Sequence, residues 1–151
     1  MKREKQTYGI EADNALRSWI ELSRAFLFIR AAENNFVESK GLTIHQFGVL
    51  EALYHIGNLN VGELTRLILS TPGNMTVVVK NLIAKDLVIS RKDKKDKRKT
   101  ILSISDEGKK LISEIFPEHA EKLSDAFSVI THDEHKMLQS ISKKLSKHKR
   151  S

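Results

Sequence analysis

Cysteine is absent from this chain of 151 residues, which excludes disulfides, thiolate metal sites and every thiol-based catalytic or redox device. That absence suits a reducing cytoplasm, the compartment expected here. Proline occurs twice, at Pro72 and Pro117, and the seven glycines are scattered, so neither builds a linker or a low-complexity segment. No apolar run approaches the roughly 18 residues that a membrane span needs. The first eleven residues are polar and lack the apolar centre of a signal peptide. A soluble chain with no membrane partner is therefore expected. Also missing are a glycine-rich phosphate loop, an HExxH or GxSxG motif, and paired carboxylates in an apolar setting, so neither an enzyme nor a cofactor is expected. A chain of this length buries about 68–70% of its unfolded surface without staples, which makes a single domain over 1–151 the simplest organisation.

What is present is positive charge, unevenly placed. The net charge is +7 and the pI about 9.6. From Arg91 to Lys99 seven bases stand against two acids, a local charge of +5. This segment separates two stretches of strand composition, Leu87 to Arg91 and Thr100 to Ile104, in which Leu87, Ile89, Leu102 and Ile104 are expected to share a face. Just before it lies a helix pattern opened by Thr71 as N-cap and Pro72 at the first helical position, where the missing N–H costs nothing. At 100° per residue Met75, Val78, Val79 and Leu82 fall on one face. Gly73, Asn74, Thr76, Val77, Lys80 and Asn81 fall on the other. That second face is small, mostly polar and carries no carboxylate. A helix suited to the major groove of DNA, followed by a basic hairpin tip suited to phosphates or the minor groove, is the winged helix-turn-helix arrangement. A solvated loop is the plainer reading of the basic segment; its place after a carboxylate-free helix face favours DNA.

The remainder reads as helix. A long one is expected from Ile10 to Ser39 after a frayed leader, Met1 to Gly9. Its apolar residues, among them Leu16, Trp19, Ile20, Leu22, Phe26, Leu27, Ile29, Phe36 and Val37, wrap around several sides, so several sides need cover, from a second subunit or from within the monomer. Thr43 caps a second helix, Ile44 to His55, and Asn60-Val61-Gly62-Glu63 forms a capping box for a third that runs to about Leu69, with Leu64, Leu67 and Ile68 inward. Ser105 caps another long helix with a stripe of Leu111, Ile112, Ile115 and Phe116, carried on by Leu123, Phe127 and Ile130. Pro117 is expected to kink or divide it. Thr131 to Glu134 opens the last helix, with Met137, Leu138, Ile141 and Leu145 on one side. Lys143, Lys144, Lys147, Lys149 and Arg150 end the chain, where bases complement a helix dipole. His132 and His135, with Asp133 and Glu134, have the spacing of metal ligands, but an exposed helix start explains them as well, and no metal site is assigned.

The ordered series Leu42-Thr43-Ile44-His45-Gln46-Phe47, Val49 to Leu53, Val61-Gly62-Glu63-Leu64, Gly73-Asn74-Met75-Thr76, Leu82 to Val88, Arg91, Asp96-x-Arg98 and Ser105-x-x-Gly108 resembles the MarR-type transcriptional regulators over roughly Gly41 to Pro117. The resemblance implies a mainly α protein. Its winged helix-turn-helix core would span 41–108, with a small β-hairpin wing and helical dimerisation regions at 10–39 and 109–147. It further implies a homodimer on double-stranded DNA, reading a near-palindromic operator as a sequence-specific regulator, a repressor released by a small ligand. The DNA-binding residues would be Thr71, Gly73, Asn74, Thr76, Val77, Lys80, Asn81, Arg91, Lys94, Lys95, Asp96, Lys97 and Arg98. In this pattern Asp96 orients Arg98, which enters the minor groove, and Arg91 braces the wing. An effector pocket between helices would draw on Phe26, Arg30, Phe47 and Tyr54 and suit a small aromatic molecule, although Phe26, Phe47 and Tyr54 equally suit plain core. Three departures stand out. Val77 stands where the family often has Arg, Asp86 where it usually has a helix-ending Gly, and Ile104-Ser105 where Leu-Thr is usual. A non-specific architectural DNA-binding protein and a winged helix that binds protein remain alternatives.

Overall fold

The computed structural model describes residues 6–147, within two compact units, Met1–Phe116 and Pro117–Ser151. Residues 1–5 of the expected leader, and Lys149 and Arg150 of the terminal bases, lie outside the described residues. The first unit begins with α1 (Ile10–Ser39). Its start is not free: Asp13 accepts from the Thr7 hydroxyl at 2.6 Å and from the Tyr8 N–H at 3.0 Å. Those bonds hold the Asp13 carboxyl below its ordinary range. Helices α2 (Ile44–His55) and α3 (Val61–Leu67) each open on a complete capping box, Thr43 with Gln46 and Asn60 with Glu63. Helix α4 (Pro72–Ala84) follows, and the axes of α3 and α4 turn by 113° between them, the geometry of a helix-turn-helix.

Three strands complete this unit: β1 (Leu59–Asn60), β2 (Val88–Lys92) and β3 (Thr100–Ile104), in the antiparallel order β1-β3-β2. The sequence reading did not contain β1. Two residues carry no alternation to detect, and Leu59 earns its strand character only by pairing with Leu102. The expected strand faces also need correction. The register pairs Val88 with Ile104 and Ser90 with Leu102, so Val88 is the buried residue of β2 and Ile89 lies on the outer side. Leu87 does pack against the core, but from the turn before the strand. Likewise α3 stops at Leu67, which is half exposed while Leu64 is buried.

Phe36 and Val37 of α1, Phe47, Val49, Leu50 and Leu53 of α2, Leu64, the α4 stripe Met75, Val78, Val79 and Leu82, and Val88, Leu102, Ile112 and Ile115 form one continuous core. Each fully buried aliphatic or aromatic side chain here contributes roughly 1.5–3 kcal/mol. The core is tied off where the wing meets α5 (Asp106–Ala126). Ser105 Oγ donates to the Asp86 carbonyl at 2.6 Å and accepts from the Gly108 N–H at 2.9 Å. A methyl group at Gly108 would run into the Leu87 carbonyl and the Ile104 side chain, so only glycine fits.

Pro117 does not divide α5; it sits inside the helix, where it removes one backbone donor. The helix ends at Ala126, so Phe127 and Ile130 belong to the following turn rather than to its stripe. Phe127 packs instead against the His135 ring at 5.8 Å. Helix α6 (His132–Lys147) opens on the Thr131–Glu134 capping pair and contains no buried residue. Among the described residues no single helix is long and apolar enough to cross a membrane.

Candidate nucleic-acid interface

The helix-turn-helix is built from local rules that leave one face of α4 outside. Thr71 accepts from the Asn74 N–H at 3.2 Å and Pro72 takes the first helical position. With Met75, Val78, Val79 and Leu82 buried, the helical period turns Gly73, Asn74, Thr76, Val77, Lys80 and Asn81 outward, and all six are exposed. Val77 is an apolar side chain at 56% exposure. A Cβ built on Gly73 would touch nothing, so no neighbour within this chain requires a glycine there. Two polar side chains on this face are held from within. Asn74 Nδ2 donates to Ser70 Oγ at 2.9 Å, and Thr76 Oγ1 donates to the Pro72 carbonyl at 2.9 Å.

Helices α3 and α4 both end in the left-handed region without glycine. After α3, Leu69 has φ 55°, with Ser70 N–H on the Thr65 carbonyl and Leu69 N–H on the Arg66 carbonyl. After α4, Asp86 has φ 58°, with Leu87 N–H on the Leu82 carbonyl and Asp86 N–H on the Ile83 carbonyl. Both are the paired bonds of a Schellman ending, where glycine is usual. Asp86 thus takes the left-handed conformation suited to the helix-ending glycine that it replaces. Leu69 had no signal in the sequence, because a leucine suggests a continuing helix.

The wing tip sorts its charges. Asp93 accepts from the Lys95 N–H at 2.9 Å, and Asp96 accepts from the Arg98 N–H and from Arg98 Nε, both at 3.1 Å. The Arg98 side chain, and then its backbone N–H, hold the Asp96 carboxyl below its ordinary value of 3.8. Both acids are thus half-buried while Arg91, Lys94, Lys95, Lys97 and Arg98 stay exposed, Arg98 at 92% of its side chain. The carboxylates shape the turn from inside and the bases form its surface. Arg91 lies on the outer face of β2 opposite Ile101. Lys92, which sequence reasoning did not single out, spans the base of the hairpin to Thr100 Oγ1 at 3.4 Å.

Behind this surface, a cleft of about 1000 Å³ opens between α1, α2 and the end of α3. Phe26, Arg30 and Phe47 line it, with Asn34, His45, Glu51, His55, Leu69 and Phe116. Tyr54 does not: it stands just off the α2 stripe that lines the cleft, edge-on to His55 at 5.0 Å. His55 takes the position expected of Tyr54 and contacts the Phe116 ring at 4.5 Å. Arg30 lies over the Phe26 ring at 5.3 Å and pairs with Glu33 at 2.9 Å. Asn34 Oδ1 is buried and has no hydrogen-bond partner among the described residues.

Comparison with known proteins bears on this geometry. The model of the family described as "MarR family" matches residues 42–100. The HTH-type transcriptional regulator MhqR of Bacillus subtilis is 33% identical over 133 residues, 88% of this chain and 92% of that protein. The HTH-type transcriptional repressor MdtR of the same organism is 30% identical over 132 residues, covering 86% and 84%. Among solved structures, NadR in complex with 4-hydroxyphenylacetate superposes with a TM-score of 0.78 at 20% identity, covering 97% of this chain and all of that one.

Proposed function

Since the chain belongs to the MarR family of transcriptional regulators, we propose that it is a repressor that binds a near-palindromic operator as a homodimer and is released by a small aromatic ligand. The observation that carries this reading is the exposed, carboxylate-free face of α4 beside a hairpin tip of charge +5. Gly73, Asn74, Thr76 and Val77 enter the major groove, with Thr71, Lys80 and Asn81 toward the backbone. Lys94, Lys95, Lys97 and Arg91 supply phosphate contacts, and Arg98, aligned by Asp96, enters the flanking minor groove.

The ligand reading rests on the cleft. Its rings Phe26, Phe47 and Phe116 suit an aromatic body, Arg30 suits a carboxylate, and the unsatisfied Asn34 Oδ1 suits a hydroxyl donor. NadR, of the same fold, was solved with a molecule of this kind, a phenol bearing a carboxylate. Leu69 lines the cleft one residue before Ser70, which holds Asn74, so an occupant touches the segment that sets the start of α4.

Selection of bound fragments across a genome should return paired half-sites about 34–36 Å apart. Phenolic acids should then release the fragments, reversibly on dilution. Equal affinity for random DNA would instead make the protein an architectural binder, and no salt-dependent affinity for DNA would make it a protein-binding module.

A further inference from the structure

We infer that the outward face of α4 selects A·T base pairs in each half-site, through hydrogen-bond acceptors and a methyl-seeking side chain, and rejects guanine. The inference rests on the reading of α4 as the major-groove helix.

The polarity of the face follows from where its protons go. Thr76 Oγ1 gives its single proton to the Pro72 carbonyl, so only lone pairs point outward. A lone pair accepts from an exocyclic amine, adenine N6 or cytosine N4, and repels the O6 and N7 acceptors of guanine. Asn74 commits one N–H to Ser70 Oγ. It keeps Oδ1 and a second N–H, the pair that matches adenine N6 and N7. Val77 has no polar atom, and the thymine methyl is the one apolar group in the major groove. Adenine suits both the Thr76 acceptor and the Asn74 pair, and thymine suits Val77; cytosine offers its amine to an acceptor but neither the N6/N7 pair nor a methyl group. Guanine is ordinarily taken by arginine or lysine, and this face holds no arginine, with Lys80 a turn further along. Thr71 keeps its own proton but stands at the N-cap, ahead of the outward face.

The test is a base-analogue scan on the full-length protein. A random-library selection should first return adjacent A·T pairs at the positions under α4. Uracil in place of thymine there removes one methyl group and should weaken binding about four-fold. Val77→Ala should abolish that penalty. Purine in place of adenine removes the 6-amino group and should weaken binding about two- to ten-fold. Thr76→Val should shrink that loss, while Thr76→Ser, which keeps the acceptor, should retain it. Val77→Arg should move the preference at its position to guanine. A sequence-specific motif with G·C at these positions, or one indifferent to both analogues, overturns the inference and leaves α4 as the major-groove helix. Absence of any sequence preference overturns both.

Discussion

Leu69 and Asp86 hold left-handed backbone with side chains that pay for it, at roughly 1–2 kcal/mol each. Gly41 closes α1 in the same way at φ 76° without that strain. Asp86→Gly should therefore stabilise the fold by about 1 kcal/mol, net of the extra freedom glycine brings to the unfolded chain. The Asp86 carbonyl, which Ser105 uses, is unchanged by the substitution. Urea unfolding checks this, and a lower midpoint at equal slope would contradict it. The opposite case is Gly108→Ala. The new methyl group meets the Leu87 carbonyl, and overpacking of this kind costs about 1–3 kcal/mol. Its melting temperature should fall, and the fall should exceed the gain from Asp86→Gly. Of these positions, Asp86 and Gly108 were marked in the sequence by a motif; Leu69 was not, because its backbone is dictated by the angle between two helices.

At the level of elements, α4 was legible nearly residue by residue. Its four buried residues and the six expected on its outer face obey a single period, and Thr71-Pro72 marks its start. The hairpin was legible in position and charge but not in facing. Leu87 is consumed by the ending of α4, which shifts the alternation of β2 by one residue. The cleft was legible in Phe26, Arg30 and Phe47, and it missed Tyr54 by one position because aromatic character alone does not say which side of α2 a ring takes. The wing carries its own prediction. Arg98→Ala should lower the slope of log K against log salt by about 0.9, measured by operator titration at several salt concentrations. The same substitution removes the largest cause of the depressed Asp96 pKa, so that carboxyl should move back up toward 3.8 in an NMR titration. In the intact wing the Asp96–Arg98 contribution is complete above 3.8 and fades as the pH falls through the lowered folded value.

Across the whole molecule, the apolar surface left uncovered is large. Trp19 at 66% and Phe28 at 78% exposure stand on α1 with Leu16, Ile20, Leu22 and Leu27, and on α6 Met137, Ile141 and Leu145 are exposed as well. Scattered apolar residues on a surface are ordinary, but a row of them along one helix marks an interaction surface, and each of these helices carries its own. Burial by a second copy predicts that the melting temperature rises with protein concentration, and that sedimentation shows a dimer at micromolar protein. A concentration-independent midpoint with a monomer throughout would rule that out. The sequence showed these rows because helical spacing alone exposes them; it could not show α6 without a single buried residue, since burial depends on what surrounds a helix.

That last helix has a consequence for dosage. If α6 finds its cover only in another copy, the DNA-competent species forms by encounter of two chains. Below the dissociation constant, halving the amount of protein then lowers the competent form about four-fold. Synthesis and dilution by cell growth would thus set the operator's occupancy more steeply than in direct proportion. A cell that makes slightly less of this chain would then lose the dimer faster than it loses the protein.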